Sequence, residues 1–220
     1  MPGYSTKKLN VRIGSRQWKI RSLSDKLQYA DPHGEAKRAG ICSASWSLFG
    51  QLWPASKALA RAVKHIDIKG RRILELGCGL GLPSLVLQAR GADVTASDRH
   101  PLSEPFLDYN AALNHLPEVP YVDLDWKPSG FDQSLGQFDV IIGSDILYEP
   151  DHADMLATLI NRLAANTAKV LITCPGRGYR NRFSRLLASR GFTLTETNIP
   201  FTEDETPPYK GRLLCYRRAI

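Results

Sequence analysis

Glu75, Gly77, Gly79 and Gly81 stand at alternate positions, and Asp98 follows after an intervening helical run. Glycines so spaced let a backbone pass very close to a ligand, because no Cβ blocks the approach and left-handed dihedrals cost little. A carboxylate about twenty residues beyond such a turn, at the end of the next strand, is placed to accept hydrogen bonds from ribose hydroxyls. The pattern points to an adenosine-type ligand. Downstream, Asp125-Trp126 offers a carboxylate for an adenine amino group and an apolar indole plane beside the base. A third cluster, Ser144-Asp145-Ile146-Leu147-Tyr148, sets a carboxylate and a phenol three residues apart. That spacing aims both at one point if a helical turn forms there.

The details of the turn discriminate between cofactors. Dinucleotide sites use G-x-G-x-x-G, with a helix N-terminus facing a pyrophosphate; here the third glycine comes one residue early and Leu82 holds the sixth position. Glu75 would also meet a pyrophosphate with like charge. It suits a ligand carrying an ammonium or a sulfonium, and S-adenosylmethionine carries both.

Glu75-Leu76-Gly77-Cys78-Gly79-Leu80-Gly81 resembles the E-x-G-x-G-x-G motif of class I S-adenosylmethionine-dependent methyltransferases. Asp145 and Tyr148 resemble the Asp-x-x-Tyr motif of the seven-β-strand protein lysine methyltransferases called methyltransferase family 16. The stretch 48–56, with Gly50 and Trp53, is similar to the segment before the first helix in that family, where a tryptophan contacts the cofactor. The resemblance spans about 46–173. It implies S-adenosylmethionine as cofactor, held by Trp53, Glu75, Gly77, Cys78, Gly79, Gly81, Asp98, Asp125, Trp126 and Ser144, with Asp145 and Tyr148 as catalytic residues. It implies N-methylation of a lysine on a protein; arginine and small-molecule acceptors share much of the framework. The Asn/Asp-Pro-Pro-Tyr run of adenine methylases is missing, which disfavours methylation of nucleic-acid bases.

An anionic Asp145 beside a lysine acceptor would favour the ammonium form, whose reference pKa is about 10.4. The expected role of Asp145 is therefore to select and orient the amine. Tyr148 is expected to supply a ring that tolerates methylated cations.

Strand-like runs at 72–76, 93–97, 120–122, 138–144 and 169–173 alternate with helical patterns at 82–90, 101–114, 151–165 and 179–190. Such alternation predicts a mostly parallel sheet with helices on both faces. The last two strand-like runs, 192–199 and 212–217, have only a loop with Pro207-Pro208 between them and should pair antiparallel. The expected architecture is a three-layer, Rossmann-like α/β methyltransferase fold with a seven-stranded sheet ending in an antiparallel hairpin. The 220 residues read as one domain over 1–220, with an arm over 1–45, whose hairpin could cover the site, and a core over 46–220. Alternation around Gly14-Ser15 predicts a small hairpin within the arm.

No apolar run approaches the eighteen or so residues that span a bilayer, and no signal-peptide pattern opens the chain, so a cytoplasmic protein is expected. The four cysteines form no C-x-x-C pair and no metal spacing. Net charge is +7, concentrated in the N-terminal arm and in Arg177, Arg180, Arg182, Arg185 and Arg190. Neither cluster carries an aromatic stacking platform, so both read as solvated faces, and a non-catalytic nucleic-acid-associated module is the disfavoured reading of another class.

Overall fold

The computed structural model describes residues 4–127, 133–200 and 209–219. The chain opens with a hairpin of β1 (Thr6–Ile13) and β2 (Arg16–Leu23), paired in antiparallel register from Thr6 opposite Leu23 to Ile13 opposite Arg16. Two one-turn helices, α1 (Glu35–Arg38) and α2 (Ser43–Trp46), precede α3 (Pro54–Val63), which starts on a proline whose fixed φ suits a first helical position.

The winding then proceeds as β3 (Arg72–Leu76), α4 (Leu82–Gln88), β4 (Asp93–Asp98), α5 (Ser103–Leu113), β5 (Tyr121–Asp123), β6 (Phe138–Ser144), α6 (His152–Leu163), β7 (Ala164–Cys174), α7 (Arg180–Ala188), β8 (Thr193–Ile199) and β9 (Gly211–Arg218). The sheet runs β5-β4-β3-β6-β7-β9-β8, with β9 antiparallel to β7 and β8 and the other pairs parallel. The expected seven strands and closing hairpin are present; Pro207-Pro208 lies outside the described residues. β3 and β6 are neighbours from which the chain winds to opposite edges. Their diverging exit loops leave a crevice at the carboxyl end of the sheet, the position where open α/β sheets bind ligands.

Central strands are buried on both faces, as their near-continuous apolar runs require. Ile73, Leu74 and Leu76 of β3 and Ile141 and Ile142 of β6 are wholly excluded from solvent. One core layer joins β3 and β4 to α3, α4, α5 and the hairpin residues Trp18, Ile20 and Leu23; the other sets β6 and β7 against α6 and α7. Among the described residues no helix is long and apolar enough to cross a membrane.

Two departures from the sequence reading have physical causes. β7 begins at Ala164, directly after α6, although Ala165-Asn166-Thr167 gives no apolar signal there. Arg218, from β9, donates to the carbonyls of Ala164, Ala165 and Asn166 and stacks over Phe192, so a distant cation satisfies the strand's first acceptors. The hairpin, expected as a possible cover for the site, instead packs on α5. Asn110 and Asn114, one helical turn apart, pair with the backbone of Arg21 and Lys19 and close the outer edge of β2.

Candidate functional site

At the exit of β3 the backbone turns through left-handed conformations at Gly77 (φ 62°), Gly79 (φ 53°) and Gly81 (φ 74°). Cys78 N–H donates to the Ser97 carbonyl at 2.9 Å, and Gly79 N–H donates to Asp98 Oδ2 at 2.9 Å. The turn is thus tied to the end of β4. Asp98 Oδ1 accepts from His100 N–H at 3.0 Å, and each carboxylate oxygen keeps lone-pair capacity for a ligand hydroxyl. Burial pushes the Asp98 carboxyl upward, and its backbone donors oppose that shift. A Cβ on Gly79 would stand 2.7 Å from the Phe49 carbonyl oxygen, so the glycine is needed by the protein's own packing as well as by any ligand.

Beside this turn lies a cavity of about 680 Å³, within the roughly 300–1,000 Å³ of small-molecule and cofactor sites. Every site residue expected from sequence lines it except Glu75 and Gly81: Trp53, Gly77, Cys78, Gly79, Asp98, Asp125, Trp126, Ser144, Asp145 and Tyr148 come together there.

Glu75 and Gly81 do not line the cavity and have structural roles at the turn. Glu75 is wholly buried beneath the turn; its Oε2 accepts from the N–H of Ser84 at 2.9 Å and from the Ser84 hydroxyl. It therefore satisfies an otherwise orphaned donor in the first turn of α4. Burial pushes its carboxyl up to about 8 against the Ser84 donors, and Oε1 has no hydrogen-bond partner among the described residues. Gly81 is the N-cap of α4 and faces Leu107, which an added Cβ would strike.

Trp126 sits over Gly77 together with Ile146; a Cβ on that glycine would lie 3.1 Å from each. Trp126 also meets the ring of His152 edge-on at 5.0 Å, and His152 meets Tyr148 at 4.5 Å. His152 Nδ1 lies 2.9 Å from the Ile146 carbonyl, which can only accept, so this nitrogen carries the proton. Burial keeps the ring neutral and holds the Tyr148 phenol protonated. Trp53 is oriented by donation from Nε1 to the Leu48 carbonyl at 2.9 Å.

Asp145 has φ 52°, a left-handed conformation that costs a non-glycine residue free energy. Its N–H donates to the Thr173 carbonyl at 2.8 Å, and both carboxylate oxygens accept from Arg177, at 2.8 Å from Nε and 2.9 Å from a terminal nitrogen. Asp145 thus lines the cavity already paired with a cation. By composition Arg177 belongs to a basic stretch, in which Arg180 pairs with Glu196 and Arg182 with Asp154 as well. Arg177 immediately follows Pro175-Gly176 at the exit of β7, so its place after a parallel strand was the available signal. His100 was also missed; it is buried, stacked on Phe49 at 3.8 Å, and pushed down to about 3 by desolvation.

Although the chain is basic overall, the cavity carries Asp98, Asp125, Asp145, Glu149 and Asp151 against Arg99, Lys127 and Arg177. An acidic recess attracts a cationic donor. Glycines that allow close approach, a ribose acceptor at Asp98 and the Trp126 ring fit S-adenosylmethionine.

A family model described as lysine methyltransferase matches residues 43–188. The chain is 31% identical over 176 residues to protein N-lysine methyltransferase METTL21A of Danio rerio, covering 76% of each chain. It is 32% identical over 125 residues to histone-arginine methyltransferase METTL23 of Rattus norvegicus, covering 54% of this chain and 55% of that one. Among solved structures, magnesium protoporphyrin IX methyltransferase of Synechocystis with bound SAM superposes with a TM-score of 0.59 at 19% identity, covering 74% of this chain and 79% of that one. A 16S rRNA N2 G1207 methyltransferase of T. thermophilus superposes with a TM-score of 0.65 at 16% identity, over 99% of this chain and 52% of that one. The chain belongs to the lysine methyltransferase family and is an S-adenosylmethionine-dependent methyltransferase.

Proposed function

We propose that the chain methylates the ε-amine of a lysine on a protein substrate, with Asp145 and Tyr148 on the acceptor side of the cavity and Asp98 and Trp126 on the cofactor side. The observation that carries this reading is the convergence of the β3, β4 and β6 exits on one acidic cavity. The reading is supported by the METTL21A relatives, which match over about three quarters of their length; the histone-arginine relatives and the lysine methyltransferases of the electron transfer flavoprotein beta subunit match over about half of theirs.

When bound, S-adenosylmethionine supplies a methyl group already activated by the sulfonium. The chain's own residues then hold an amine lone pair in line with that methyl and exclude water, and orientation of this kind is worth up to about 7–11 kcal/mol of barrier. Asp98 accepts from the ribose, Asp125 and Trp126 receive the adenine, and Gly77 and Gly79 let the backbone approach. The Tyr148 ring walls the acceptor side and tolerates a methylated ammonium through its π face. With the Tyr148 phenol protonated, it is no base; the acceptor would release its proton to water on entry, as desolvation disfavours the ammonium form. Cytoplasmic placement is part of the same reading, supported by four free cysteines.

The test is incubation with isotopically labelled methyl donor and a total protein extract, followed by identification of the labelled side chain. Methyl-lysine is expected. Label confined to arginine or to small metabolites would contradict the reading.

A further inference from the structure

The Asp145–Arg177 contact is a bidentate fork, and its setting distinguishes it from a surface ion pair. The Asp145 side chain is 12% exposed whereas that of Arg177 is 43% exposed, and both line the cavity. The carboxylate is the more buried member of the pair and the guanidinium the more solvated. Asp145 adopts its left-handed backbone at this point, which an unstrained loop would not require.

We propose that Arg177 is a positioning residue that keeps the acceptor reactive: by occupying both carboxylate oxygens of Asp145, it stops that carboxylate from trapping the acceptor as an ammonium ion. The proposal rests on the lysine reading above. A bare carboxylate a few ångströms from a lysine nitrogen favours the protonated form, which has no lone pair to give. Paired with Arg177, Asp145 presents no net charge to the entering amine and retains acceptor lone pairs outside the fork for an N–H of the neutral nucleophile.

The other charged and titratable groups around the fork come from each exit loop. Cys174 lies on the Arg177 side; Tyr148, Glu149 and Asp151 follow Asp145; Asp98 and Arg99 approach from β4; His152 opens α6. Of these carboxylates, Asp98 is held by the glycine turn, so Asp145 is the one that Arg177 governs directly.

Butylammonium carries the terminal chemistry of lysine and serves as the probe. It is titrated at pH 7 into the protein loaded with S-adenosylhomocysteine. Arg177→Met is expected to bind it at least about tenfold more tightly than the unaltered protein, since an unpaired opposite charge shifts an amine by about one to three pH units. The gain is expected to vanish in Arg177→Met/Asp145→Asn. Methyl transfer to a total protein extract, measured against pH, should show its rising limb displaced upward by about one pH unit in Arg177→Met. Arg177→Lys, which keeps the charge, should hold the limb near its original place.

Equal butylammonium affinity with and without Arg177 would overturn the proposal. So would a limb that stays put while the rate falls, the sign of a purely structural ion pair. Melting curves and S-adenosylhomocysteine affinity establish that the variants are folded, and Arg177→Gln replaces the Met variant if that one does not fold. Failure to label any lysine in the extract would count against the acceptor reading alone, because the butylammonium comparison still decides what Arg177 does.

Discussion

Between Gly77 and Asp98 the site is held by backbone: peptide N–H groups of the turn bond to β4 and to the Asp98 carboxylate, all within one strand–helix–strand unit. Between Asp145 and Arg177 it is held by two side chains from separate exit loops, 32 residues apart in sequence. The first arrangement resists change because its geometry is covalently local. The second depends on charge complementarity between two side chains, one of them partly solvated, and leaves carboxylate lone pairs outside the fork for an incoming group. A donor of fixed structure suits the rigid half, and acceptors that must enter and leave suit the other.

The sharpest break of this contrast is Gly79→Ala. An alanine at φ 53° costs about 1–2 kcal/mol, and its Cβ would also press on the Phe49 carbonyl. Cofactor binding should be lost by calorimetry, and melting should fall by about 4 °C or more for a chain of this size. Asp145→Asn is expected to leave S-adenosylhomocysteine affinity within about twofold while lowering turnover by about tenfold to a hundredfold, the rate equivalent of a charge-assisted hydrogen bond of about 1.5–3 kcal/mol. Steady-state kinetics beside a cofactor titration check it, and equal losses in both would erase the distinction between the two halves.

A smaller effect concerns the support beneath the turn. Glu75 is raised in the fold from 4.5 to about 8, so the folded protein holds a proton that the unfolded chain releases. Its contribution to stability is complete below about pH 4.5 and is lost as pH rises toward and through 8. Glu75→Gln cannot ionise; its melting temperature should decline less than that of the unaltered protein between pH 5 and pH 8.5, by a few °C. Parallel curves would show that Glu75 is ionised in the fold.

Legibility in the sequence follows the same division. The glycine turn, Asp98, Trp126 and the succession of strands and helices are written in local patterns: period, turn residues and residues just past each strand. Arg177 sits just past β7 and obeys that rule, yet it lies in a run of arginines whose composition suggests only a solvated face. The pairing of Arg180 with Glu196, and of Arg182 with Asp154, depends on contacts across 16 and 28 residues that no local window contains. The early start of β7 depends likewise on Arg218, contributed by the last strand. The placement of the hairpin on α5 rests on Asn110 and Asn114 standing in for a neighbouring strand, a role that helix periodicity does not reveal.

Calorimetric titration of S-adenosylhomocysteine into the unaltered protein and into Asp98→Ala tests the assignment of the cavity most directly. Binding at a stoichiometry of about one is expected, weakened at least about tenfold by the substitution while the melting transition is retained, because the ribose hydrogen bonds proposed for Asp98 would be removed. Equal affinity in the two proteins, or no binding to either, would contradict it.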